Sequence, residues 1–218
     1  GHHISIAYGD QRIIEGLDLL VPERRFTALL GPNGSGKSTL FRILSTMMAP
    51  SEGRATIAGS DVTAEPDAVR RKIGVVFQSQ SLDKKLTVEE NLRAQGHLFG
   101  MSGRPLNARV QDVMGRLALA DRRADLVAAL SGGLRRRVEV AKALLHEPQV
   151  LLMDEASTGL DPGARRELWQ YIGDLRSSRG ITVLLTSHIL DEAERCDRLL
   201  LLHEGKVVAA GTPGELKA

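Results

Sequence analysis

The chain has 218 residues, with 29 Lys+Arg against 27 Asp+Glu and a formal net charge of +2. That length suits one domain, or one core with an inserted subdomain. A 42% apolar share excludes a chain disordered along its length, the near-balance of charge argues against a dedicated nucleic-acid binder, and 3% aromatics leave too few rings for a base-stacking platform. One cysteine, Cys196, excludes an internal disulfide or a cysteine-based metal cluster and reads as a small packing residue. No paired histidine spacing outside His2-His3 suggests a transition-metal site. No apolar run approaches the roughly 18 residues of a membrane-spanning helix. The opening residues lack the apolar stretch of a secretory signal, so a cytosolic, reducing location is the expectation.

In chain order, Ile4–Tyr8 and Ile13–Leu20 alternate as strands, and Phe26–Leu30 is an unbroken apolar run, as in a strand buried on both faces. After a glycine-rich turn, Leu40, Ile43, Leu44 and Met47 set a helical stripe. Short strands follow at Arg54–Ala58 and Ile73–Phe77. Thr87 and Glu90 have the spacing of a capping box opening a helix to Phe99, with further helices at about Leu106–Ala118 and Gly133–Leu145. Gly100–Pro105 reads as a linker. Val150–Met153 is a buried strand ending in Asp154-Glu155, a helix starts at Pro162, and strands follow at Ile181–Leu185, Leu199–Leu202 and Lys206–Ala210. Strands alternating with helices predict an α/β fold with a mostly parallel sheet, interrupted by a helical block.

Gly31-Pro32-Asn33-Gly34-Ser35-Gly36-Lys37-Ser38, followed by Thr39, matches G-x-x-x-x-G-K-[ST] between a strand and a helix. Glycines let backbone N–H groups converge on phosphate oxygens, and the helix N-terminus faces the same anion. Lys37 supplies a point charge for the outer phosphates, and the Ser38 hydroxyl suits Mg²⁺. This is a nucleotide-site signature. Asp154 falls at the C-terminal tip of a buried strand, where α/β sheets bind ligands, placing it to hold Mg²⁺ and Glu155 to activate a water. Taken alone, the same pair reads equally as two solvated acids ending a strand.

Together these residues resemble the nucleotide-binding subunit of an ATP-binding cassette (ABC) transporter, over essentially the whole chain. Tyr8 resembles the aromatic residue that stacks on adenine, residues 31–39 the Walker A loop, and Gln78 the Q-loop glutamine. Leu130-Ser131-Gly132-Gly133 resembles the signature, Asp154-Glu155 the Walker B end, Ser157–Asp161 the D-loop, and His188 the switch histidine. Where the family's signature continues with Gln, this chain has Leu134, losing a polar side chain while keeping the Ser131 hydroxyl and the glycine amides. Residues 78–92 and 159–162 look most like the drug- or polymer-exporter branch.

The resemblance implies a P-loop NTPase (RecA-like) core over residues 1–79 and 147–218, with an N-terminal antiparallel β subdomain. It further implies an inserted helical subdomain over 80–146 that carries the signature. It implies MgATP as ligand, with Tyr8, residues 31–39 and Ser131, Gly132 and Gly133 binding nucleotide. Ser38, Gln78 and Asp154 would serve the metal, and Glu155, His188, Lys37 and Gln78 would serve catalysis. The implied partners are a separate transmembrane permease, contacted near residues 79–100, and a second cassette, identical or different, at the cytoplasmic face of the membrane. No nucleic-acid partner is expected.

In isolation the accessory motifs read more plainly. Ser131-Gly132-Gly133 is a helix N-cap, Gln78 a polar strand end, His188 a capping or surface residue, and Tyr8 an ordinary strand residue. Arg135-Arg136-Arg137 reads as a solvated helix face rather than a phosphate or acidic-lipid site. Two rival functions remain: a soluble ABC-type ATPase of DNA repair or translation, and a nucleotide-binding module without turnover. The single cassette without a heptad run weighs against the first, and Glu155 with His188 against the second.

Overall fold

The computed structural model describes residues 2–8, 11–187 and 190–217, with side chains at all of these but 2–8, 11, 12, 15 and 190. The chain forms two compact units: Gly1–Val75 with Gln149–Glu155 and Ile181–Ala218, and Val76–Pro148 with Ala156–Gly180.

The first unit opens with β1 (His2–Tyr8) and β2 (Gln11–Leu17), which pair antiparallel, and β1 also pairs antiparallel with β4 (Glu52–Arg54). A second, six-stranded sheet is built on β3 (Phe26–Leu30). Its other strands are β7 (Ile73–Val76), β8 (Val150–Asp154), β9 (Thr182–Thr186), β10 (Arg198–His203) and β11 (Lys206–Gly211). The order is β11-β10-β3-β9-β8-β7, with β10, β3, β9 and β8 mutually parallel and β11 antiparallel to β10. Every residue of β3 and β9 is buried, which explains their unbroken apolar texture. The mostly parallel α/β sheet and the antiparallel strands before it are those expected from sequence.

The helix α1 (Lys37–Leu44) buries Leu40, Phe41, Ile43 and Leu44 in a core shared with Leu29, Leu152, Leu184 and Leu200. It stops three residues short of Met47, which is 67% exposed and does not extend the apolar stripe. The expected strand over Arg54–Ala58 is instead β4 and a two-residue pairing of β5 (Thr56–Ile57) with β6 (Ser60–Asp61). A helix absent from the sequence reading, α2 (Pro66–Lys72), follows; only Val69 on it is buried, so it carries no periodic stripe.

In the second unit, α3 (Val88–Leu98), α4 (Gly103–Arg116) and α5 (Gly132–Leu144) pack together, and α6 (Pro162–Arg179) packs on α5. The capping box of α3 is complete: the Glu90 N–H donates to Thr87 Oγ1 at 3.2 Å and the Thr87 N–H to Glu90 Oε2 at 2.8 Å. Gly96 lets α3 approach α4, since a Cβ there would lie 2.2 Å from Leu106 Cδ1. The expected linker Gly100–Pro105 is only half a linker. Gly103 already begins α4, and Pro105 fits its first turn because no N–H is needed there. Back in the first unit, α7 (Leu190–Ala193) precedes Cys196, which is buried and points its thiol at the Glu192 carbonyl. No helix among the described residues is long and apolar enough to cross a membrane.

Candidate functional site: a phosphate loop and a strand-end acid pair

In the first unit, β3, β9 and β8 lie side by side and run the same way, so their C-terminal ends share one sheet edge. The register aligns Leu29, Thr186 and Asp154 in one row across those strands. With neighbouring strands about 4.8 Å apart, the end of β3 lies roughly 10 Å from that of β8. The glycine-rich loop leaves the first of these ends and Asp154-Glu155 the third.

Residues 31–36 turn the chain from β3 into α1 under two steric demands. Gly31 faces the Leu202 carbonyl, where a Cβ would stand 2.2 Å from the oxygen. Gly36, at the N-cap of α1, has φ +100° and would bring a Cβ to 3.0 Å from Ile14 Cγ1. Pro32, Asn33 and Gly34 are exposed, while Ser35, Gly36 and Lys37 are buried. Lys37 folds back over the loop, its Nζ donating to the carbonyls of Gly31 at 2.7 Å and Pro32 at 2.9 Å. The start of α1 has no side-chain cap and no acid in its first turn, so its N–H groups and positive end complement an anion. Ser38 is exposed and Thr39 half-buried at this end. The Ser35 hydroxyl is buried without a hydrogen-bond partner.

At the end of β8, Asp154 is 8% exposed. Thr186 donates its hydroxyl to Asp154 Oδ1 at 2.6 Å, and the Glu155 N–H donates to the same Thr186 oxygen at 2.9 Å. Glu155 has φ +47°, a left-handed conformation that costs a non-glycine residue about 1–2 kcal/mol. Thr186, essentially fully buried, was not among the sequence candidates; its relation to Asp154 depends on strand register. Beyond β9, the Ser187 hydroxyl donates to Glu192 Oε2 at 2.6 Å. His188 lies outside the described residues, as does the side chain of Tyr8.

In the second unit, Ser131 caps α5, its Oγ accepting from the Leu134 N–H at 3.3 Å. Leu134 thus contributes its backbone to the cap, which does not depend on the residue's side chain. Gly132 and Gly133 form the first turn, and a Cβ on Gly133 would stand 2.8 Å from Ala164 Cβ. Asp161 caps α6 through the N–H groups of Gly163 and Ala164, at 2.9 and 3.0 Å. Those bonds hold its carboxyl below the usual range.

Gln78 is exposed, and its backbone is gripped from α5. Arg136, 4% exposed, donates to the carbonyls of Phe77 at 2.7 Å and Gln78 at 3.2 Å. One turn on, buried Glu139 accepts from the Ser81 N–H at 2.6 Å, and Lys142 donates to the Ser81 carbonyl at 2.8 Å. Burial pulls Arg136 and Lys142 below their ordinary ranges, opposed in both by Glu139. The expectation of a solvated arginine face is therefore corrected: Arg136 is buried, Arg135 donates to the Leu130 carbonyl at 2.9 Å, and Arg137 pairs with Glu167. Residues at positions i, i+3 and i+6 of one helix face meet a non-helical segment whose carbonyls need donors.

The sequence profile of the ABC transporter family matches residues 14–158. The chain belongs to that family. It is an ATP-binding subunit of the ABC type, and an ATPase. It is 43% identical over 212 residues to the daunorubicin resistance ATP-binding protein DrrA3 of Streptomyces coeruleorubidus, covering 97% of this chain and 67% of that one. A daunorubicin/doxorubicin resistance ATP-binding protein of Streptomyces peucetius is also 43% identical, with 97% and 64% covered. The Nod factor export ATP-binding protein I of Rhizobium sp. (strain N33) is 42% identical, with 98% and 70% covered. The chain thus spans about two thirds of the length of these curated relatives. Among solved structures, cbiO1 of Clostridium perfringens, part of the transporter complex cbiONQ, superposes with a TM-score of 0.91 at 27% identity, covering 99% of this chain and 88% of that one. The cassette MJ0796, solved as a post-hydrolysis dimer with ADP and Pi, gives 0.86 at 29% identity, with 97% of each chain covered.

Proposed function

We propose that this cassette powers export through a separate membrane permease, working at the cytoplasmic face and pairing with a second cassette. The Nod factor export and drug-resistance names of the relatives support this over a role in DNA repair or translation, and the dimeric MJ0796 cassette supports the pairing. In this reading residues 1–79 and 147–218 form the nucleotide-binding core, and 80–146 the helical subdomain that meets the permease near residues 79–100.

The observation that carries the catalytic reading is the placement of the phosphate loop and the Asp154-Glu155 pair on one edge of adjoining parallel strands. Lys37 exchanges its two loop carbonyls for the outer phosphates of ATP, with the N–H groups of residues 34–39 around them. Asp154 is a buried carboxylate with one hydroxyl partner, and Ser38 an exposed hydroxyl at a helix start, an all-oxygen donor set that fits Mg²⁺. Ser38 and Asp154 would hold the ion, which when bound neutralises phosphate charge. Glu155 takes the proton of the attacking water, and His188 orients the γ-phosphate. Ser131, Gly132 and Gly133 of one cassette complete the nucleotide site of the other, and Tyr8 stacks on the base.

ATP turnover per molecule, measured against chain concentration with Mg²⁺ present, tests the pairing. A rate that climbs with concentration is expected when two copies complete each other's sites. A rate flat near zero, with ATP still bound, would mean that two copies do not complete each other's sites and that the competent partner is either a different cassette or the membrane subunit.

A further inference from the structure

Thr186 touches both members of the acid pair at once. It has one hydroxyl proton, given to Asp154 Oδ1 at 2.6 Å, and its oxygen receives the Glu155 N–H at 2.9 Å. The residue is 1% exposed, so water has no access to substitute for its hydroxyl. Its position follows from the sheet, because the parallel register of β8 and β9 pairs Asp154 with Thr186 as the last rung. A β-branched side chain on a strand is stiff about its first torsion, which fixes the hydroxyl in place. Glu155, one residue past that rung, sits at φ +47°, where the chain needs an anchor to hold a non-glycine residue.

We infer that Thr186 is a positioning residue for hydrolysis: its single hydroxyl orients the Asp154 carboxylate and, through the Glu155 backbone, fixes the direction in which the Glu155 side chain leaves the sheet. Its hydroxyl acts only through those two residues, as outer-shell partners of metal-binding carboxylates do. Its role rests on the assignment of Asp154 and Glu155 given above, so the experiment separates the two.

The variants Thr186→Val, Thr186→Ser, Thr186→Ala and Glu155→Gln are compared with the parent. Steady-state ATP turnover is followed over Mg²⁺ concentration, and ATP binding is titrated in EDTA. Val keeps the shape and removes the hydroxyl, and kcat is expected to fall about 10–100-fold with a higher Mg²⁺ requirement, in line with the usual loss of an outer-shell partner. ATP affinity in EDTA should match the parent, which a general loss of structure would not allow. Ser restores the hydroxyl and should bring kcat back to within a few-fold of the parent. If Val does not fold, Ser against Ala isolates the same hydroxyl. Val at parental kcat, or Ser as impaired as Val or Ala, overturns the role of Thr186. Glu155→Gln at parental turnover overturns Glu155 as the base, and a Val defect rescued by Ser then assigns the hydroxyl's action to Asp154.

Discussion

Arg136 donates from Nη1 to the carbonyl oxygen of Phe77 at 2.7 Å, tying the helix that begins at the signature to the segment that holds Gln78. Arg136 is 4% exposed, a costly burial for a charged residue, and here it serves carbonyls that no regular ladder reaches. Arg136→Met keeps the aliphatic stem but leaves those acceptors without their donor. It should destabilise the second unit by about 2 kcal/mol, read from urea unfolding. Arg104→Ala, at an exposed position, should cost less than about 0.5 kcal/mol.

Lys37→Met should leave the fold intact and weaken ATP binding by about 10–100-fold, the equivalent of one charge-assisted contact. Equilibrium nucleotide titration checks it. Unchanged affinity would mean that Lys37 stays on the carbonyls of Gly31 and Pro32 when nucleotide is bound.

Two glycines of the loop separate backbone strain from crowding. Gly34 has φ +81° with nothing within 4 Å of an added Cβ, whereas Gly36 has φ +100° and Ile14 Cγ1 at 3.0 Å. Gly34→Ala should cost about 1 kcal/mol, and Gly36→Ala more, with a parallel loss of ATP affinity. Thermal midpoints of the two variants, compared side by side, decide the order.

Much of this was readable in the sequence because single elements carry their own signals. The five buried residues of β3, the Thr87–Glu90 cap and the strand ending in Asp154 are each local patterns. What escaped depends on partners distant in the chain. Thr186 is 32 residues from Asp154, and only strand register brings them together. Arg136 looked like one of three surface arginines because nothing in its own helix reveals the carbonyls of Phe77 and Gln78, 59 and 58 residues earlier. The helix α2 escaped for the opposite reason: with one buried residue it has no stripe to read.

Acid should loosen the helical unit through Glu89. The Arg123 guanidinium hydrogen-bonded to it, aided by Arg93, holds its carboxyl at about 2 against an ordinary 4.5. A folded pKa below the unfolded one stabilises fully above about pH 4.5, and that contribution is lost as pH falls through about 2. Arg123 is half exposed, so screening limits the effect to about 1 kcal/mol. Glu89→Gln should lower the urea midpoint at pH 7 and flatten its decline between pH 4.5 and 2 relative to the parent.

Phosphate release by Glu155→Gln, with MgATP binding measured on the same sample, tests the catalytic site most directly. Glu155 as the base requires MgATP affinity at or above the parental value, with turnover reduced at least about 100-fold. Hydrolysis at the parental rate would contradict it and move the base away from the end of β8.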